Sequence, residues 1–193
     1  MQEIKKPTIN EVNYWLNKWN KESRYIEQEY AIQKLFNNLC PKNDNITDIL
    51  IKCSTLNDFY NTNIFSIYAI AKHIFDLQID ERINKCDESL IYDIANIKIQ
   101  GKKKFFYSFA TKYCSHHIYQ GFPIYDLNVK TALVYFKEKD SFFDFKQKDL
   151  KEYCKFKDII DNFIDFYELS SFDYKSIDKY LWQIGKELNN QKN

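Results

Sequence analysis

The sequence predicts an all-α fold, and three observations carry that prediction. Apolar residues recur at i, i+3, i+4 and i+7 along most of the chain, the spacing that lines one face of a helix. Glycine and proline number only three each, too few for the turns of a β-sandwich or for a glycine-rich nucleotide loop. The 193 residues, 45% of them apolar, can bury one sizeable core but not two comfortable ones. One helical domain over 1–193 is therefore expected, with N-terminal helices in 1–45 and a core in 46–193. Its helices are too numerous and short for a simple four-helix bundle.

Thr8-Ile9-Asn10-Glu11 reads as a capping box behind Pro7. Val12, Trp15, Leu16 and Trp19 then form one apolar stripe, and Ile32, Leu35, Phe36 and Leu39 another, with a break expected near residues 20–23. Cys40-Pro41 and the polar residues after it close this region. Ile46, Ile49, Leu50, Cys53, Leu56 and Tyr60 predict the next helix, Asn61-Thr62-Asn63 a turn, and Ile64, Ile67, Tyr68, Ala71, Ile74 and Phe75 a further helix. Asp87 is a good N-cap for a short helix through Leu90, Ile91 and Ile94.

Gly101 punctuates the chain before Phe105, Phe106, Phe109, Ala110 and Tyr113, a stripe expected to be helical and to face the core. Pro123 breaks the chain again. Asp126 opens the run containing Val129, Leu133 and Phe136. FFDF at 142–145 is a candidate extended segment. Stripes through Tyr153, then Ile160–Tyr167, then Ile177–Leu188 complete the chain, with Trp182 as a core anchor.

Net charge is +1, so any affinity for a polyanion must come from a local patch, because binding follows the number of phosphates neutralised. Lys102, Lys103 and Lys104, with Lys98 and Lys112 nearby, form the densest one. The five cysteines are odd in number and scattered, without metal-ligand spacing. Free thiols in a reducing cytosol are expected, with no metal and no cofactor. The N-terminus lacks a signal core and no apolar run spans a bilayer. Cytoplasmic residence without a membrane partner is the expectation.

Four constellations carry chemistry, each with a structural reading beside it. Asp126 reads as a helix N-cap, and the same geometry suits a carboxylate that steadies a cationic sugar or orients a water. Gly101 and the three lysines read as a solvated basic loop, or as a turn whose following helix amides bind phosphate. His116 and His117 close an aromatic helix, where they cap or pack, or contact phosphate and bases. Asn57, Asp58, Tyr60, Thr62 and Asn63 crowd a helix junction as caps and turn formers. A short side chain there, such as Asn57, also suits a wedge pushed into a duplex.

The order of ILIKCSTLNDFYNTN, IANIKIQGKKKFFYSFATKYCSHH and FPIYDLNVKTAL resembles the helix-hairpin-helix DNA glycosylases, the endonuclease III-like superfamily, over about residues 46–190. The same segments, with DKYLWQIGKE, are similar to a divergent group of bacterial proteins. The resemblance implies a glycosylase-like fold that binds double-stranded DNA, with Asp126 as the catalytic carboxylate. Gly101 and the amides after it would hold a backbone phosphate. Lys103 or Lys104 would stand where lyase-competent members keep a nucleophilic lysine. Lys102, Lys112, His116, His117, Asn57 and Tyr60 would contact DNA, Asn57 or Tyr60 filling the space left by a flipped base. This chain keeps one hairpin glycine, lacks the LPG-type motif and the cluster-ligating cysteine tail, and has a longer stretch before the aspartate. The alternative reading is a catalytically silent DNA- or protein-binding module, for instance in phage defence.

Overall fold

The computed structural model describes residues 4–191. In chain order its elements are helices α1 (Ile9–Trp19), α2 (Ser23–Gln33), α3 (Ile46–Phe59), α4 (Ile67–Leu77), α5 (Asp80–Asn84) and α6 (Leu90–Ala95), strands β1 (Asn96–Ile99) and β2 (Lys102–Phe105), and helices α7 (Tyr107–His117), α8 (Leu127–Asp140), α9 (Tyr153–Phe166) and α10 (Tyr174–Asn190). A π-helical stretch, Lys34–Leu39, continues α2, and a short 3₁₀ turn, Asp149–Lys151, precedes α9. The protein is thus mostly helical, as the apolar spacing predicts.

Local capping explains several boundaries. Thr8 Oγ1 accepts from the Glu11 amide at 3.2 Å, and the chain breaks between Trp19 and Ser23. Asn45, Asp126 and Asp173 each accept from an amide two or three residues on, at 2.9, 3.0 and 2.8 Å. Asp87 acts earlier than expected: it binds the Ser89 amide and hydroxyl and the Arg82 guanidinium, and Ser89 occupies the cap position of α6.

Three expectations are corrected. Gly101 does not lead into a helix; Gln100 (φ 49°) and Gly101 (φ 76°) form the two-residue turn of an antiparallel hairpin. Two successive left-handed residues match the twist of such a ribbon, and glycine takes that conformation without steric cost. The aromatic helix consequently starts at Tyr107, leaving Phe105 46% exposed on β2 rather than in the core. FFDF at 142–145 is not a strand: Phe142 and Phe145 are buried in a loop, with Phe142 edge-on to Phe163. No helix among the described residues is long and apolar enough to cross a membrane.

The chain divides into two compact units, 1–25 with 123–193, and 26–122. In the first, α8 and α10 pack closely. A Cβ on Gly185 would lie 1.9 Å from the Asn128 carbonyl oxygen. Phe136, Phe163, Tyr167 and Tyr180 fill its core, and Gln183 reaches back to the Trp15 carbonyl at 3.0 Å. In the second, α3 packs on α4 and α7, while α6 joins α4, α7 and β1.

Candidate functional site

The most organised polar group lies in the 26–122 unit, around a lysine with no exposed surface. Lys52 occupies the apolar stripe of α3 between Ile49 and Leu56, all three fully buried. Its ammonium donates to the Lys42 carbonyl at 2.8 Å and to Asn43 Oδ1 at 2.6 Å, and lies 3.5 Å from His117 Nε2. Tyr113 donates to the same Asn43 oxygen at 2.5 Å. The other side of Asn43 turns to Asp80, which accepts from its backbone amide at 3.1 and 3.0 Å and from Nδ2 at 2.6 Å. Nδ2 also lies 3.2 Å from His117 Nε2. The Phe36 ring packs against His117 and Tyr113, with the Lys52 ammonium 5.5 Å from its centroid.

Electrostatics follow from this enclosure. Burial pushes the Lys52 ammonium down to about 8, against the opposing pull of Asp80. Burial, then the Lys52 and His116 charges, press His117 down to about 3 and keep the imidazole neutral at pH 7. Burial raises the Tyr113 hydroxyl well above the usual phenol range. Groups displaced this far occur in functional sites and in buried structural networks alike, and here burial is the first cause for all three. A cleft of about 480 Å³, bordered by Phe36, Asp80, Ile83 and His117 among others, opens beside the network.

The residues singled out in the sequence separate into several places. Lys102, Lys103 and Lys104 are exposed on β2, and Lys98 is exposed on β1 directly opposite Lys103. Lys112 does not belong to that patch: it is 2% exposed, donates to Ser108 Oγ at 2.7 Å and sits 5.2 Å from the Tyr60 ring centroid. His117 points into the buried network rather than toward phosphate, because Asn43 and Lys52 engage it. His116 pairs with the Tyr60 hydroxyl at 2.9 Å.

Asn57 is not a free wedge either. Its Oδ1 accepts from Thr62 Oγ1 and the Ile64 amide, both at 2.8 Å, and so ties down the loop before α4. Two left-handed residues in that loop, Asn61 and Asn63, precede Phe65, whose side chain is 97% exposed. Asp126 is half-buried at the start of α8, in the other unit from the lysines, with Oδ1 accepting from the Asn128 amide.

Asn43, Lys52, Asp80 and Phe65 escape a reading by motif. A lysine inside the apolar stripe of α3 is the signal that points to the network.

The family HI_0787_N, an N-terminal domain, matches residues 11–120, which takes in the whole Asn43 network and the hairpin and stops short of Asp126. An uncharacterized protein of Haemophilus influenzae is 46% identical over 144 residues, covering 74% of this chain and 69% of its own length. No solved structure matches the chain. With the match spanning more than half of its residues, the chain belongs to the HI_0787_N family.

Proposed function

We propose that the chain binds duplex DNA as a helix-hairpin-helix glycosylase-like protein, and that Asp126 serves hydrolysis of the N-glycosidic bond of an extruded base. The observation that carries the reading is the register of the β1–β2 hairpin. Lys98 and Lys103 stand opposite each other on one face, where like charges are destabilising, in a two-stranded ribbon that is marginal by itself. None of Lys98, Lys102, Lys103 and Lys104 has an acidic partner among the described residues. A backbone phosphate between them converts that repulsion into attraction.

Phe65 supplies the wedge that Asn57 cannot. An aromatic ring on a loop pinned by Asn57 can stack in the gap an extruded base leaves, since every base presents a π-face. At the sugar, the C1′–N bond breaks with its electrons leaving on the base. The Asp126 carboxylate stabilises the cationic sugar, and a water bonds to C1′ and yields its proton to the departing base. The binding-only alternative draws on the bond by which Asp126 already caps its own helix.

Duplex binding titrated against salt tests the reading. Replacing Lys102, Lys103 and Lys104 with Gln is expected to lower the slope of log K on log salt by about 2.7, for three phosphate contacts. Base release from modified duplexes is expected with the native chain and lost in Asp126→Asn. Equal release by both rejects the role of Asp126, and no release by either rejects excision and leaves binding alone. Absence of any affinity at low salt rejects DNA altogether and favours a protein partner.

A further inference from the structure

The cleft beside Asp80 and His117 plays no part in the DNA reading, and we propose that it binds a flat, uncharged ring carrying an amide edge, an N–H next to a C=O, such as a lactam or an aromatic carboxamide. The argument starts from which atoms must donate. Lysine has donors only, so the Asn43 atom 2.6 Å from Lys52 is its oxygen, and the amide nitrogen is the atom facing Asp80 and His117. His117 Nε2 therefore receives donors from both Asn43 and Lys52. It carries no hydrogen, and the ring proton resides on Nδ1.

Asp80 and His117 both border the cleft and are linked through one amide nitrogen, which meets Asp80 Oδ1 and His117 Nε2; the carboxylate offers an acceptor and the imidazole, through its other nitrogen, one N–H. An amide edge presents the matching pair, its N–H to Asp80 and its carbonyl to His117 Nδ1–H. Asp80 is held by three hydrogen bonds from Asn43, so it is oriented before any ligand arrives. Phe36 and Ile83 give the cleft apolar wall against which a flat ring packs.

Charge argues for a neutral ligand. Asp44 and Asp80 on the lining are balanced by Lys42 on the lining and by Lys52 one layer behind. With formal charges of both signs equal in number, hydrogen bonding and packing are left to select the occupant.

The proposal stands apart from the DNA reading, and its test contains no DNA. The full chain is titrated with 2-pyridone, a lactam, and with nicotinamide, a carboxamide, and followed by two-dimensional NMR of backbone amides and imidazole nitrogens. Saturable shifts at residues 80–84 and 117–118 and at His117 Nδ1 are expected for at least one probe, at about 1–10 mM, an affinity open to a ligand this small. The probe that binds more tightly identifies lactam or carboxamide as the source. N-methyl-2-pyridone has the same ring without the N–H, and Asp80→Asn lacks the ionised acceptor; each is expected to weaken binding about tenfold. Absence of binding by both probes overturns the proposal, as does equal binding of the N-methylated ring. Should Asp80→Asn fail to fold, the pair of pyridones decides on the native chain alone.

Discussion

Tyr113 and Lys52 converge on one atom, Oδ1 of Asn43, the hydroxyl at 2.5 Å and the ammonium at 2.6 Å. The opposite edge of the same amide holds Asp80. A loop residue of short reach thereby joins α3, α5 and α7. Asn43→Ala takes an acceptor from a buried ammonium and from a buried hydroxyl at once, so a loss of about 3 kcal/mol is expected in urea unfolding.

Lys52→Met is expected to be milder, about 1 kcal/mol. It removes the charge and fills its volume, whereas the asparagine change leaves a buried charge with one acceptor fewer. The same urea series, run on both variants, checks the order.

Lys52 and His117 each contribute stability that rises with pH in a window of its own, set in the alkaline range against the opposite contribution of the buried Cys53 and Cys114 thiols. Lys52 sits near 8 in the fold against 10.5 ordinarily, so the unfolded chain holds more protons between those values and folding strengthens as pH climbs through them. His117 sits near 3 against 6.5, so folding weakens as pH falls through that interval. Each window is worth up to about 3 kcal/mol once partial screening is allowed for. Unfolding across pH, compared with Lys52→Met for the alkaline limb and His117→Gln for the acid limb, isolates each contribution as a difference.

The glycines separate contact from conformation. Gly185→Ala drives a methyl into the Asn128 backbone and should cost about 3 kcal/mol through displacement of α8 from α10. Gly101→Ala meets nothing within 4 Å and has only its φ of 76° against it, for a loss of about 1 kcal/mol. Thermal unfolding of the two variants gives the comparison.

Phe65→Ala should leave stability within about 0.5 kcal/mol of the native chain, because an exposed ring contributes little to folding. Asn57→Ala should cost about 1–2 kcal/mol, since the Thr62 hydroxyl and Ile64 amide lose their acceptor. Under the DNA reading both weaken duplex binding, one by losing the wedge and the other by loosening it. Fluorescence anisotropy of a labelled duplex measures this.

Local chemistry was the legible part of this chain. Thr8 and Asp126 announce helix starts because a cap and its amide lie within three residues of each other. The hairpin carries a signal too, with Ile97 and Ile99 alternating before Gln100-Gly101. Strands of four residues are nevertheless too short to outweigh the aromatic stripe that runs on from Phe105. The Asn43 network is the opposite case. Lys52 meets one partner 9 residues away and another 65 away, a proximity that only tertiary packing creates. Its one local trace is a cation on the wrong face of α3. His117 shows the same limit, since a helix end does not reveal what the next layer offers.

The bond from Gln183 to the Trp15 carbonyl spans 168 residues, and it imposes an order on biosynthesis. As the polypeptide leaves the ribosome, α1 emerges long before α10 exists, so its buried Val12 and Trp15 wait without a partner. Residues 26–122 can meanwhile complete their own contacts. α1 is thus secured only after α10 has been made, and until then its apolar face is open to misassembly.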